Sequence, residues 1–195
     1  CHIPEVGKPI KRVYIEPEKI EPPTEAVEAL LDADAIVLGP GSLYTSVLPN
    51  LLVQGIAEAV KKSSALKIYV CNVMTQPGET AGYTASEHVR AILEHVGPGL
   101  LEHCIVNTQA VPQILYEKYA EQNAFPVYAD VDVIEKMGIH VVRERLISES
   151  NLIRHDPHKL SRAIIKMILK LRANSERMRI LDYYLLGEKL KRRQG

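Results

Sequence analysis

The sequence predicts an α/β fold, doubly wound, in which helices cover both faces of a mostly parallel sheet. Short apolar runs that suit buried strands alternate with stretches of helical composition along the 195 residues. The connections are short, and we find no internal repeat, low-complexity segment or linker that divides the chain. With 46% hydrophobic residues, the chain can bury a core of the size that one large domain needs.

Each element is predicted from its own local pattern. Helix starts are marked by Thr84 or Ser86 and by the Asp156–Pro157 pair, and glycines end helices near residues 97 and 138. Strands are predicted at residues 11–15, 35–38, 67–73, 103–107, 125–128 and 139–146. Helices are predicted at residues 25–32, 54–63, 85–96, 113–122, 131–137, 157–172 and 175–193. Residues 1–172 therefore form the α/β domain, and residues 173–195 are a C-terminal helical extension.

Charge and composition exclude several classes of partner. The 24 basic and 24 acidic residues balance, so neither nucleic acid nor a membrane surface is favoured electrostatically. No stretch approaches the ~18 apolar residues of a membrane span, and no signal-peptide pattern opens the chain. Three widely spaced cysteines, two of them in apolar strand-like runs, indicate reduced thiols and a cytoplasmic location. Because the first residue is Cys1 rather than Met, we expect a fragment, a processed product or an excised domain.

The most informative stretch is the loop at residues 39–50, directly after the predicted strand 35–38. Its two glycines allow a close backbone approach, and hydroxyl groups follow at the start of a helix. At the carboxyl end of a parallel strand, this combination is typical of a site for phosphate or another anion. The loop matches neither the Walker loop nor the dinucleotide fingerprint, and the alternative is an ordinary strand–helix turn. Its candidate ligand-binding residues are Gly39, Gly41, Ser42, Tyr44, Thr45, Ser46 and Asn50.

A second candidate loop, at residues 72–84, follows the next predicted strand. It contains glycine and is rich in amide and hydroxyl groups. If the two strands are neighbours, both loops border one crevice at the carboxyl edge of the sheet. Asn72, Thr75 and Gln76 are then candidates for hydrogen bonds to a base or a sugar. The alternative is an ordinary surface loop with polar turn residues.

Metal-binding and catalytic patterns are weaker. Seven histidines are present, but none stands in a set of three or four with ligand spacing, so no metal site is predicted. His155 and His158 form only a pair, and the residues between them are already explained as a helix start. No nucleophile with a base and no paired carboxylates stand out, so no catalytic residue is assigned.

Two single residues complete the candidate ligand set. Arg154 precedes a predicted helix, where a guanidinium can bind an anionic ligand through two hydrogen bonds. Its alternative role is a surface salt bridge. Tyr119 lies on a predicted helix, where the alternative is partial packing in the core.

Long motifs in both loops resemble a known family. They are GPGSLYTSVLPNLL at residues 39–52 and CNVMTQ at residues 71–76, followed by GET at residues 78–80 and GYT at residues 82–84. These motifs are similar to those of the bacterial gluconeogenesis factors, in the superfamily of 2-phospho-L-lactate transferase. The similarity runs from about Ile10 to the Arg154–Asp156 region. Residues 173–195 match nothing in the family that we can place.

The resemblance implies a cytoplasmic Rossmann-like protein that binds UDP-sugars and is needed for normal cell shape on gluconeogenic carbon sources. It also implies an N-terminal strand, glycine-rich loop and acidic motif that this chain lacks, so the chain resembles the C-terminal part of the fold. Within the family, a tyrosine and an arginine bind the UDP-sugar. By position these match Tyr119, with Tyr116 as the alternative, and Arg154.

The leading interpretation is a non-catalytic factor that binds UDP-N-acetylglucosamine or a related nucleotide sugar and acts through protein partners. No cofactor is assigned with certainty beside this ligand, and a homo-oligomer is possible. The rival is a transferase that moves a phospholactyl group from a guanosine diphosphate carrier onto a deazaflavin. These transferases carry an Asn-Pro pair in the glycine loop where this chain has Gly41 and Ser42, which favours the factor. A structural or interaction module is the third possibility.

Overall fold

The computed structural model describes residues 8–148 and 152–172, the last two by their backbone alone. The predicted helix at 175–193 and the extension at 173–195 lie outside the described residues. Four strands form one parallel sheet in the order β1-β2-β3-β4. They are β1 (Ala35–Leu38), β2 (Leu66–Val70), β3 (His103–Asn107) and β4 (His140–Glu144). This parallel order confirms the predicted α/β class.

The register places the same end of every strand at one edge of the sheet. Leu38 of β1 pairs with Tyr69 of β2, and Val70 pairs with Ile105 of β3. The connections include helices α1 (Thr24–Asp32), α2 (Leu48–Leu52), α3 (Ile56–Lys62), α4 (Ala85–Val96), α5 (Gln113–Ala120) and α6 (Val131–Lys136), and α7 (Pro157–Arg172) follows β4. A five-residue π-helical turn, Leu43–Val47, precedes α2.

The two faces of the sheet bury different sets of side chains, as the period of two along a strand requires. One face carries Tyr69 and Cys104 against helices α2, α3, α4 and α6. The opposite face carries Ile68 and Ile105 against α7. Helices therefore cover both faces of the parallel sheet, and β1 is wholly apolar while β2 is apolar apart from Lys67.

Two predicted strands are wrong. Residues 11–15 form no ladder with the sheet; instead the Val13 amide donates to Nε2 of His95 on α4, at 3.0 Å. Residues 125–128 contribute only an isolated antiparallel bridge between Pro126 and Met74. Proline has no amide hydrogen for a sheet ladder. Of residues 11–15, Val13 packs against the main core cluster, and its amide is used by His95 rather than by a strand.

The predicted start of the last described helix is confirmed. Oδ1 of Asp156 accepts hydrogen bonds from the amides of His158 and Lys159, at 2.9 and 3.0 Å. The Asp156 amide itself donates to the carbonyl of Leu146 at 2.6 Å. The helix start is therefore tied to the end of the sheet.

The two described cysteines are buried in the core, as their apolar surroundings indicate. Cys71 and Cys104 are free thiols with less than 2% exposure. Burial raises the pKa of the Cys71 thiol to about 12 and that of Cys104 well above its ordinary value. Both thiols are therefore protonated at neutral pH and behave as small apolar side chains.

His88 is a fully buried histidine whose neutral form the fold prefers. Burial lowers the pKa of His88 below 6.5, and its Nδ1 lies 2.8 Å from the Thr84 carbonyl. The unfolded chain takes up this proton near pH 6.5, whereas the folded protein takes it up only at lower pH. The contribution of neutral His88 to the free energy of unfolding is therefore fully present above pH 6.5, and it is lost as the pH falls below that value.

We expect His88→Leu to reduce the loss of stability on acidification. The slope of the free energy of unfolding against pH, between about pH 7 and about pH 5, should be smaller in the variant by up to about 1.4 kcal/mol per pH unit. This is the value for the uptake of one proton. The Thr84 carbonyl keeps the His88 backbone amide as a partner, at 3.2 Å. Denaturant titrations across this range measure the slope, with the exposed His158→Leu as the control. Equal slopes for His88→Leu and the wild type would exclude this role for His88.

Candidate functional site

Both predicted loops meet at the carboxyl edge of β1 and β2, together with a third segment, Ile153 to His155. They line a groove of about 490 Å³. The groove is lined by Pro40, Gly41, Ser42, Asn72, Val73, Met74, Gln76, Ile153, Arg154 and His155. The crevice expected from the sequence is therefore present, because the two loops follow neighbouring parallel strands.

The glycine turn is packed tightly against β2. Gly39 has a φ of +80°, and a Cβ placed on it would lie 3.0 Å from the carbonyl oxygen of Val70. The Gly39–Pro40 peptide bond is cis. Glycine is required here by conformation and by space, so Gly39 shapes the turn without lining the groove.

Side chains and backbone together close the loop after Gly41. The Thr45 amide donates to Oγ of Ser42 at 3.2 Å, and the amides of Ser46 and Val47 donate to the Ser42 carbonyl at 3.0 and 2.9 Å. These three amides are therefore used inside the loop. The parts of the loop that face the groove are Pro40, Gly41 and Ser42.

A carboxylate joins the hydroxyl groups of this loop. The Ser42 hydroxyl donates to Oε2 of Glu79, and Oγ1 of Thr45 lies 2.5 Å from the Ser42 hydroxyl and 3.4 Å from Oε1 of Glu79. Glu79 comes from the second loop, 37 residues further along the chain. Glu79 is not among the candidate residues predicted from the sequence, although it belongs to the GET motif that carries the family resemblance.

Four other predicted residues of the glycine loop are not among the groove-lining residues: Tyr44, Thr45, Ser46 and Asn50. Tyr44 is 3% exposed, and its hydroxyl lies 2.8 Å from that of Tyr83. Burial raises the pKa of Tyr44 well above its ordinary value, so the phenol stays protonated in the core. Ser46 and Asn50 are exposed and bond to each other, with Nδ2 of Asn50 donating to the Ser46 carbonyl at 2.6 Å. Tyr44 continues the apolar face of the turn, which explains its burial.

The second loop divides into groove-lining and structural residues. Asn72 and Gln76 both line the groove, and their side-chain amides lie 3.4 Å apart. Thr75 is 3% exposed, and its hydroxyl accepts from the Phe125 amide at 2.9 Å. Thr75 therefore fixes the loop to the segment near residue 125 and does not line the groove.

The third wall of the groove carries Arg154. This side chain is exposed at the groove, while the Arg154 carbonyl accepts from the Ser148 amide at 3.0 Å. The preceding amide, of Ile153, donates to the phenol oxygen of Tyr119 at 3.2 Å. Tyr119 therefore supports the backbone that presents Arg154, and it is not itself among the groove-lining residues.

His155 is a groove residue that the sequence suggested only as half of a metal-binding pair. Its Nε2 lies 3.1 Å from the Cys71 carbonyl. A carbonyl can only accept, so Nε2 carries the proton and Nδ1 remains an acceptor. Burial lowers the pKa of His155, although the bond to the Cys71 carbonyl acts in the opposite direction. The ring is therefore neutral at pH 7 and adds no positive charge to the groove.

The chemistry of the groove suits a polar, phosphorylated ligand. One guanidinium, one hydroxyl, two side-chain amides and one neutral imidazole line the groove together with the apolar side chains of Val73 and Met74. Within residues 8–148 and 152–172, no three His, Cys, Asp or Glu residues are grouped to hold a metal. Over the same residues, no helix has the length and apolarity to cross a bilayer.

Comparison with known proteins places the chain in a family. The family model described as 2-phospho-L-lactate transferase CofD matches residues 1–147. The chain is 46% identical over 167 residues to the gluconeogenesis factor of Bacillus subtilis, covering 85% of this chain and 53% of that protein. It is 47% identical over 165 residues to the gluconeogenesis factor of Halalkalibacterium halodurans, covering 84% and 51%.

The solved structures agree with the sequence relatives. A crystal structure of a member of the UPF0052 family from Bacillus halodurans superposes with a TM-score of 0.82 at 47% identity, covering 84% of this chain and 53% of that one. The chain thus spans about half the length of the relatives it matches. Since the family model covers residues 1–147 of the 195, the chain belongs to the family of 2-phospho-L-lactate transferase CofD.

Proposed function

We propose that this chain is the UDP-sugar-binding part of a cytoplasmic gluconeogenesis factor that supports cell shape during growth on gluconeogenic carbon sources. The observation that carries the proposal is the groove where Ser42, Asn72, Gln76 and Arg154 converge. Its volume of about 490 Å³ falls within the range of roughly 300–1,000 Å³ that small-ligand sites occupy. Its guanidinium and amides supply contacts for a diphosphate and for a base or sugar. The relatives named gluconeogenesis factor support the cellular role.

The second candidate function is phospholactyl transfer from a guanosine diphosphate carrier to a deazaflavin. It is favoured by the description of the matching family, 2-phospho-L-lactate transferase. The Gly41–Ser42 pair favours the factor instead, because the transferases that the sequence resembles carry Asn-Pro in this loop.

Calorimetric titration with UDP-N-acetylglucosamine and with GDP separates the two functions. We expect stoichiometric binding of the UDP-sugar, tighter than that of GDP, and no release of UDP during prolonged incubation. Sustained UDP release would instead show turnover and favour an enzyme. Preferential binding of GDP, together with transfer to a deazaflavin acceptor, would establish the second function and overturn the first.

Gly41→Val is expected to weaken UDP-sugar binding by about tenfold or more, equivalent to about 1.4 kcal/mol. Gly41 lines the groove, and a β-branched side chain there occupies the space that a phosphate must approach. A Cβ at this position meets only the Cβ of Ser46, at 3.4 Å, so the fold should tolerate the change. Calorimetry measures the affinity, and thermal unfolding checks the fold.

The matched control is Ala81→Val, which adds the same branched side chain at an exposed position outside the groove lining. This variant should bind like the wild type. If Gly41→Val is folded and binds with unchanged affinity, the glycine loop is not the diphosphate site.

A further inference from the structure

A second cavity, here called the β3–β4 cavity, lies at the carboxyl edge of the other two strands. It has a volume of about 460 Å³ and is lined by Thr108, which directly follows β3, and by Arg143, near the end of β4. No described residue lines both this cavity and the groove. Open α/β sheets bind ligands at the carboxyl ends of their strands, and sites for small ligands occupy roughly 300–1,000 Å³. The β3–β4 cavity therefore has the place and the size of a separate ligand site.

Hydrogen bonds hold the walls of the β3–β4 cavity in place. On one side, the Tyr128 carbonyl accepts from the first amide of α4 at 2.9 Å. The Asp130 carboxylate accepts from the Ser86 amide at 2.8 Å and from the Ser86 hydroxyl at 2.5 Å. On the other side, the amide and the hydroxyl of Thr108 both donate to the Glu144 carbonyl, at 2.8 and 3.2 Å. The cavity is thus largely preformed, which lowers the cost of ordering it around a ligand.

The charged side chains of this cavity do not neutralise one another. Within residues 8–148 and 152–172, neither Arg143 nor Asp132 forms an ion pair or a side-chain hydrogen bond, and both are exposed. Burial raises the pKa of Asp130, but the two bonds from Ser86 outweigh it and hold that pKa below its ordinary value. Its carboxylate keeps lone pairs that Ser86 does not use. One guanidinium and two carboxylates are therefore available to a ligand.

The balance of these charges selects the kind of ligand. Two carboxylates against one guanidinium leave an excess of one negative charge, so a nucleotide or another polyanion is repelled. A purely cationic ligand faces the like charge of Arg143 and leaves it without a partner. A zwitterion satisfies both signs, because its ammonium group donates to carboxylates and its carboxylate accepts two hydrogen bonds from a guanidinium.

The rest of the lining is apolar or aromatic. Ala129, Val131 and Val133 contribute alkyl groups, and the side chain of Tyr128 is 72% exposed. The face of a tyrosine ring attracts an ammonium group and also packs against alkyl groups. This surface suits a ligand whose third part, beside its two charged groups, is apolar.

We propose that the β3–β4 cavity binds an apolar α-amino acid in its zwitterionic form. Arg143 binds its carboxylate, and Asp130 and Asp132 bind its ammonium group. The side chain of the ligand packs against Tyr128 and Val133. This site goes beyond the proposed function, and it can be filled while the groove holds its own ligand.

L-Leucine, L-valine and L-phenylalanine are the probes, titrated calorimetrically up to millimolar concentration. We expect at least one of them to bind. For the probe that binds best, two analogues each lack one charge: its carboxamide has no carboxylate, and the corresponding acid without the amino group has no ammonium. Each analogue should bind at least about tenfold more weakly than the amino acid.

Variants locate the bound probe. Arg143→Gln should weaken binding of the amino acid by at least about tenfold and leave binding of its carboxamide unchanged. Asp132→Asn should weaken binding of the amino acid but not of the analogue without the amino group. Arg145→Gln and Glu135→Gln change exposed residues outside the cavity lining, so these matched controls should bind like the wild type. Thermal unfolding checks that each variant is folded.

Three outcomes would overturn the proposal. The first is that none of the three probes binds, and the second is that a probe binds the wild type, Arg143→Gln and Asp132→Asn with equal affinity. The third is that UDP-N-acetylglucosamine displaces the probe, which would place the amino acid in the groove. Binding of the UDP-sugar alone is measured separately, so failure here leaves the proposed function standing.

Discussion

Replacing Gly39 with alanine is expected to lower the free energy of unfolding by about 2–4 kcal/mol. Two causes add at this position. The φ of +80° lies in the left-handed region that residues with a Cβ avoid, and the new Cβ would sit 3.0 Å from the Val70 carbonyl oxygen. The carbonyl belongs to the end of β2, where the backbone is buried and cannot move aside cheaply.

Gly82→Ala separates the two causes. Gly82 has a nearly equal φ of +75°, but nothing lies within 4 Å of its Cβ position. This control should therefore lose only the conformational part, about 1–2 kcal/mol. Urea denaturation of the wild type and both variants gives the comparison. A Gly39→Ala variant no less stable than Gly82→Ala would show that the turn does not press on β2 as the structure indicates.

Arg154→Ala is expected to weaken UDP-sugar binding by roughly ten- to a hundredfold. Loss of a hydrogen bond to a charged group is worth about 1.5–3 kcal/mol, and Arg154 holds the fixed positive charge of the described groove. The side chain is exposed, so its removal should leave the unfolding transition unchanged. Calorimetry supplies the affinity, and thermal unfolding supplies the stability.

Arg162→Ala is the control for this experiment, because Arg162 is an exposed arginine on α7 outside the groove lining. It changes the net charge by the same amount and should leave binding unaltered. If Arg154→Ala binds the UDP-sugar with an affinity within twofold of that control, Arg154 does not contact the ligand and is an ordinary surface cation. Tyr119→Phe adds a graded comparison, since it removes the acceptor of the Ile153 amide but leaves the guanidinium in place.

The sheet could be predicted because its signals are local. The strands at residues 35–38 and 103–107 are short apolar runs between clear turn residues, and both match β1 and β3. Residues 11–15 have the alternation of a half-exposed strand, yet Val13 bonds to His95 on α4. That partner is 82 residues away, and no local pattern encodes it.

Because local sequence patterns do not encode distant partners, only some of the groove residues could be predicted from the sequence. Gly41 and Asn72 follow strand ends, and sequence alone places such residues at the carboxyl edge of a parallel sheet. Tyr44 has the composition of a ligand residue but turns into the core, because the π-helical turn directs it away from the groove. Glu79 and His155 are recognisable only once the chain has folded, since each contacts a partner far along the sequence.

The anchoring of the Ile153–His155 segment has a consequence for how relatives diverge. Its backbone and its histidine are held from three sides, by the Tyr119 phenol, the Ser148 amide and the Cys71 carbonyl. If a substitution removes one of these three hydrogen bonds, the other two remain. The backbone of residues 153–155 should therefore tolerate substitutions among the residues around it. Substitutions at position 154 can therefore change the ligand preference of the groove while the backbone that presents this side chain keeps its conformation. Each such substitution can occur on its own without causing the protein to misfold.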